Sequence, residues 1–231
     1  DLVRSRGLGD VYKRQAEGFT RLARELGIDQ QSKVVVYDGK YDATRIWWAF
    51  FYYGKTDVRV LDGGLQAWKE AGYPTELLAS APSRKGNFTA VVTHPGLRAE
   101  TADIKALQQG STAQLWDARA GKEFTGEEQL KGASRAGRIP GARHCDWSIL
   151  KKEGNSAEWL SAAEVKKVIA DFGYDRNKEQ FFYCQSGVRS TQPIFALYLL
   201  GWPVEKLHNY DSSWIGWSRD GALPIEAGKP N

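Results

Sequence analysis

The sequence predicts an α/β protein made of two similar units in tandem, each a parallel sheet flanked by helices, with the first unit incomplete. Three observations carry this expectation. The chain has 231 residues, 42% hydrophobic and 26% charged, with 24 glycines and 8 prolines, a globular profile long enough for two modest domains. Segments recur at a nearly fixed offset. LARELGID (22–29) matches VIADFGYD (168–175) and VVVYD (34–38) matches QFFYC (180–184), both 146 positions apart, while DGGLQAW (62–68) matches DSSWIGW (211–217) after 149. Finally, short apolar runs alternate with helical patterns, which argues for parallel strands covered on both faces.

Residues 1–15 hold four basic residues and two acids, with neither the apolar stretch of a secretory signal nor amphipathic periodicity. They read as a non-native leader that resembles translated adapter sequence. Residues 16–80 form the first unit, in the order helix, strand, loop, helix, strand and Trp-containing segment. The second copy has an upstream half, QLWDAR (114–119) and RIPGAR (138–143), whose counterparts would fall before residue 1, so the first unit reads as truncated. Residues 81–98 are rich in turn formers and read as a linker. The complete second unit spans 99–231. In it, Ser161 followed by Glu164 is a capping box, opening a helix with Val165, Val168, Ile169 and Phe172 on one face and Gly173 as the stop. QLWDA, EQFFYC and EKLHN are the strand candidates. Trp214 and Trp217, with their counterpart Trp68, read as core.

Composition excludes several classes of function. Half of the net charge of +4 sits in the leader, leaving no clustered basic stripe for nucleic acid. The longest uncharged apolar stretch, IWWAFFYYG from Ile46, falls far short of the roughly 18 residues that span a bilayer. Cys145 and Cys184 lie 39 positions apart with unlike neighbours, and His94, His144 and His208 lack helical zinc spacing, so neither a disulfide framework nor a metal site is expected.

Ligands of parallel sheets bind beyond the carboxyl ends of strands, which directs attention to Cys184. It ends EQFFYC, precedes the glycine turn QSGVR, and faces the start of an apolar-periodic helix that opens near Ser190. The successive N–H groups of Gln185, Ser186, Gly187, Val188 and Arg189 can curl into a concave nest, and the helix dipole adds positive potential. Such a bowl holds an anion. A thiol of pKa about 8.5 is only about 3% ionised at pH 7, and making it mostly thiolate takes about 2.7 kcal/mol. A helix terminus supplies about 0.3–2 kcal/mol of that, so a second cation is needed, and Arg189 is the candidate. Cys184 is read as the nucleophile and the loop as its anion-binding wall. Cys145, in RHCDW without a glycine loop, reads as a small buried hydrophobe. Asp38 stands where the first unit would carry its cysteine, so thiol chemistry is confined to the second.

At these residues the sequence resembles the rhodanese family, specifically the two-domain thiosulfate sulfurtransferases. The matching stretches are YCQSGVRS (183–190), WDAR (116–119), AGRIPGA (136–142), NYDSSWIGW (209–217) and, in the first unit, VVVYDG with VRVLDGGLQAW (58–68). The resemblance implies tandem rhodanese-like domains, the first inactive. It implies that Cys184 takes the outer sulfur of thiosulfate as a persulfide and passes it to cyanide or a thiol, protein thiols included, without metal or organic cofactor. Family members often have His where Arg138 stands, so that charge is expected near the loop or facing solvent. Members suited to mercaptopyruvate tend to read Cys-Gly-Ser-Gly, with an Arg six residues beyond the Asp of WDAR. Here the loop reads Cys-Gln-Ser-Gly and that position is Glu123, which favours thiosulfate and offers a carboxylate to orient Arg189. Arg119 is expected to contact the substrate anion or, with Asp117, to support the loop.

Three rivals stand beside this reading. A cysteine phosphatase also closes an amide bowl with Arg, but places five residues between Cys and Arg where Cys184 and Arg189 enclose four, and usually has His at the position of Tyr183. A 3-mercaptopyruvate sulfurtransferase and a non-catalytic sulfur-carrier module are the alternatives within the fold. Cytoplasm is the default compartment, with periplasm the alternative.

Overall fold

The computed structural model describes residues 16–39, 42–78 and 81–229. The leader expectation lies outside them. The chain divides into two compact units, Asp1–Pro95 with Glu153–Trp159, and Gly96–Lys152 with Leu160–Asn231.

In the first unit, helix α1 (Ala16–Glu25) buries Phe19 and Ala23. Strands β1 (Val34–Val36) and β2 (Val58–Val60) pair in parallel, Val34 opposite Val58. Helix α2 (Ala43–Tyr52) connects them and buries Trp47, Trp48, Phe50 and Phe51, the behaviour of a helix apolar on nearly every face. No helix among the described residues is long and apolar enough to cross a membrane. Phe19 meets Phe50 edge-on at 4.9 Å and Phe88 at 6.1 Å. Phe88 is fully buried and its N–H donates to Ile28 O, so the stretch read as a linker supplies core to this unit. Helix α3 (Gly64–Glu70) follows β2. Asn155–Trp159, expected in the second unit, belongs here: Trp159 N–H donates to Asp62 Oδ1 and Asn155 Nδ2 to Gly63 O. Trp68 departs from the core expectation. It is 36% exposed and packs on Tyr73 with its indole N–H on Pro74 O.

The second unit is a five-stranded parallel sheet. In chain order its strands are β3 (Arg98–Ala99), β4 (Gln114–Asp117), β5 (Arg143–His144), β6 (Gln180–Tyr183) and β7 (Leu207–Tyr210), and in space β3-β7-β6-β4-β5. The chain leaves β4 toward β5 on one side and β6 toward β7 on the other, so the switch point lies between β4 and β6, where α/β sheets open a binding crevice. Trp116 stands opposite Phe182 and Phe182 opposite Asn209. Four helices join these strands, α4 (Thr101–Leu107), α5 (Gly121–Thr125), α6 (Ala162–Asp171) and α7 (Thr191–Leu199), and α8 (Ser213–Arg219) follows the last. Ser161 caps α6 through the expected box with Glu164. Val165 and Ile169 are buried, but Phe172, one position past the helix, is exposed. The core gathers Ile104, Leu115, Ile139, Tyr183, Tyr210, Trp214 and Trp217.

Two arginines lace the C-terminal segment onto this unit. Arg135 donates to Ser218 O, Asp220 O and Leu223 O. Arg138 exchanges backbone hydrogen bonds with Glu226 and donates a side-chain N–H to Gly228 O at 2.7 Å. The Trp217 indole N–H ends on Pro224 O. Arg138 is thus neither at the cysteine loop nor facing solvent. It is 6% exposed, with its guanidinium 4.5 Å from the centre of the Phe124 ring.

Candidate active site

Cys184 leaves the carboxyl end of β6, the middle strand of the sheet, and is 1% exposed. The loop after it turns its carbonyls outward. Cys184 O accepts from Trp214 N–H at 2.9 Å, Gln185 O from Ile215 N–H at 3.0 Å, Val188 O from Thr191 N–H at 3.1 Å and Arg189 O from Gln192 N–H at 3.0 Å. Gly187 O accepts from Asn209 Nδ2 at 3.2 Å. With these acceptors engaged elsewhere, the N–H groups of Ser186 and Ser190 face the sulfur, the kind of contact an anion nest makes. Gly187 has φ +78°, and a Cβ there would sit 2.7 Å from Asp211 O, so both conformation and space call for glycine.

Burial alone would push the Cys184 thiol up, because a thiolate loses hydration. The Arg189 charge, the N–H groups of Ser190 and Ser186 and the Ser190 hydroxyl outweigh that penalty and hold the thiol below its ordinary value. Ser190 Oγ lies 3.6 Å from Cys184 Sγ. Arg189 is the cation whose charge acts on the thiol, and it is oriented. Its two Nη atoms form a bidentate pair with Glu123 Oε2 at 2.6 Å and Oε1 at 2.8 Å, and the Glu123 side chain is 3% exposed. Glu123 also accepts the Ala120 N–H that opens α5.

The other candidates separate by their partners. Arg119 is 1% exposed, and its guanidinium donates to both Asp117 oxygens and to Gly137 O while lying over the Trp214 and Tyr183 rings. Of its two expected roles, those partners are the supporting ones. Asp117 Oδ1 also accepts Arg119 N–H at 2.9 Å, closing the turn after β4. Gln185 sends its amide toward Leu130 O and Lys131 O, at 3.4 and 3.3 Å, so it contributes backbone to the bowl while its side chain holds a neighbouring loop. Ser186 and Val188 are half-buried in the loop. Cys145 is 2% exposed and burial drives its thiol up to about 11, the opposite of Cys184. Among the described residues no group of three or more His, Cys, Asp or Glu is placed to hold a metal ion.

Three site residues escaped the sequence reading. Ser190 and Asn209 share a hydrogen bond of 2.6 Å beside Cys184, and Ser213 Oγ accepts Cys184 N–H at 3.2 Å while donating to Tyr210 O. Ser213 is the non-glycine among the described residues with left-handed backbone, φ +50°. A signal for it existed. The repeat aligns Ser213 with Gly64, whose φ is +58°, and Trp214 N–H on Cys184 O mirrors Leu65 N–H on Asp38 O. Asn209 could have been flagged as an amide inside the strand LHNY.

In the first unit a carboxylate stands where the repeat would place the thiol. Asp38 follows β1 as Cys184 follows β6, and its Oδ2 accepts Ala43 N–H at 2.6 Å, where α2 begins.

A family model described as the rhodanese-like domain matches residues 7–71 and 100–220. The sulfur carrier protein TtuD of Thermus thermophilus is 34% identical over 228 residues, covering 92% of this chain and 77% of that protein. The 3-mercaptopyruvate sulfurtransferase of Escherichia coli is 31% identical over 213 residues, 91% of this chain and 73% of its own. A thiosulfate/3-mercaptopyruvate sulfurtransferase 1, mitochondrial, of Arabidopsis thaliana is 33% identical over 234 residues, with 91% and 60% covered. Among solved structures, a variant of EanB in complex with ergothioneine superposes with a TM-score of 0.85 at 26% identity, over 96% of this chain. This chain spans 57% of the length of that one.

Proposed function

The chain belongs to the rhodanese-like domain family as a two-domain sulfurtransferase, and we propose from that premise that it moves the outer sulfur of thiosulfate to cyanide or a thiol through a persulfide on Cys184. The observation that carries this reading is the thiol held low at the floor of an amide bowl, with Arg189 clamped beside it by Glu123. The Cys184 thiolate attacks the outer sulfur; a sulfur–sulfur bond forms, and the bond to the sulfonate sulfur breaks with its electron pair, releasing sulfite. The terminal persulfide anion rests against the same N–H groups that held the substrate charge. A nucleophilic acceptor then takes that sulfur, and the bonding pair returns to Cys184 as thiolate; with cyanide the product is thiocyanate.

Thiosulfate is preferred over mercaptopyruvate because the position from which an arginine would grip the mercaptopyruvate carboxylate is Glu123, itself committed to Arg189. A protein thiol as acceptor is the second reading, favoured by the likeness to a sulfur carrier protein. The test is mass spectrometry after exposure to each donor. Thiosulfate is expected to add one sulfur to the Cys184 peptide and none to the Cys184→Ser variant, with mercaptopyruvate the poorer donor. No adduct at any pH would refute the transfer.

A further inference from the structure

Beside Cys184 lies a buried hydroxyl with two partners and one proton. Ser190 Oγ is 2.6 Å from Asn209 Oδ1 and 3.6 Å from Cys184 Sγ, and both Ser190 and Asn209 are fully buried. The amide orientation of Asn209 is fixed by Gly187 O, which can only accept. Nδ2 must face it, at 3.2 Å, and Oδ1 must face Ser190. Oδ1 also only accepts, so it draws the hydroxyl proton away from the sulfur. With the proton on the Asn209 side, the oxygen lone pairs face Sγ, an arrangement suited to a neutral S–H that donates to Oγ. A thiolate needs the opposite orientation, with O–H turned to sulfur and the Asn209 bond given up.

We propose that Ser190 and Asn209 act as a positioning pair in which the hydroxyl proton points to Asn209 while the Cys184 sulfur is neutral and turns to the sulfur when it carries negative charge. The thiol proton leaves to solvent. The hydroxyl proton stays on Ser190 and only rotates, so nothing is oxidised or reduced. Asn209 thereby sets how strongly the site favours the anion. The charged groups contributed by the surrounding elements are Arg189 with its Glu123 partner, the Asp117–Arg119 pair after β4, and Asp211 after β7, itself 4.0 Å from Arg98 Nε. The first turns of α7 and α8 bring none. None of these charges bonds the hydroxyl, so the pair acts in addition to them.

The proposal rests on the reading of Cys184 as the sulfur-accepting nucleophile, but its test uses no sulfur donor. The pH dependence of Cys184 alkylation by iodoacetamide, followed by peptide mass spectrometry, is compared in the full chain, Ser190→Ala, Asn209→Leu and the double variant. Ser190→Ala is expected to move the half-rate point up by about one pH unit, a tenfold loss of thiolate well below it. Asn209→Leu frees the hydroxyl for sulfur and moves the point down. In the Ser190→Ala background, Asn209→Leu is expected to lack that downward displacement, leaving only what the loss of the Gly187 O bond contributes. The change also unpins Gly187 O, but that loss is common to both backgrounds, so only the coupling reports the pair. Equal displacement in both backgrounds, or none in either, overturns the proposal. Thermal unfolding checks each variant, and where Asn209→Leu does not fold, Asn209→Ala in the same four-way comparison decides by the same criterion. Intact coupling without persulfide formation from thiosulfate would overturn the sulfurtransferase reading alone.

Discussion

One carboxylate at Glu123 serves two structures. It caps α5 through Ala120 N–H and fixes the fork of Arg189, the cation that offsets the burial of Cys184. Glu123→Gln keeps the shape and removes the charge, so kcat/KM for thiosulfate is expected to fall about tenfold, or about 1.4 kcal/mol of transition-state stabilisation; unchanged kinetics would deny Glu123 its orienting role. Arg189 acts by favouring the thiolate, which exists above the thiol pKa. Arg189→Ala therefore moves the acid limb of the pH–rate profile to higher pH, because the value that Arg189 pulled down is released upward. Cys145, pushed to about 11, contributes no alkylation in the range where Cys184 titrates. Arg189 was legible in the sequence because the energetics of a thiolate demanded a cation within the loop. Ser190 and Asn209 were not, since 19 positions and a whole helix separate two residues that meet only when β6 and β7 pair.

At the scale of elements, the legible parts were those with chemistry at fixed spacing. Ser161 and Glu164 announced α6, and the alternation of apolar runs with helical patterns announced β4, β6 and β7. Strands β3 and β5 have two residues each, too few for any period to register. Phe172 fitted the helical stripe but falls one position past the helix end, where it is exposed. The loop between β6 and α7 depends on one backbone conformation. Gly187→Ala would force a Cβ to 2.7 Å from Asp211 O at φ +78°. We expect a loss of about 1–3 kcal/mol in urea unfolding, together with slower Cys184 alkylation at neutral pH as the N–H groups lose their aim.

Over the whole chain, the repeat correctly announced two units with matching element order, α1-β1-α2-β2-α3 and α6-β6-α7-β7-α8. Phe88, in the stretch read as a linker from its turn formers, and Asn155–Trp159, expected in the second unit, both join the first, because sequence continuity says nothing about which core a returning segment joins. The contrast between Cys184 and Asp38 predicts a stoichiometry. The first unit carries Asp38 in place of a thiol, so donor exposure is expected to load one sulfur per chain, on Cys184, and intact mass measures it. Asp38→Asn removes an anion from a helix start and is expected to cost about 0.5–2 kcal/mol in unfolding, while thiosulfate turnover persists. The lacing of the C-terminal segment by Arg135 and Arg138 carries a practical corollary for anyone handling this protein. An exopeptidase that trims back past Pro224 strips acceptors from Arg138 and from the Trp217 indole, each orphaned donor costing about 1–3 kcal/mol, so the tail behaves as a fastener whose loss a melting curve would register.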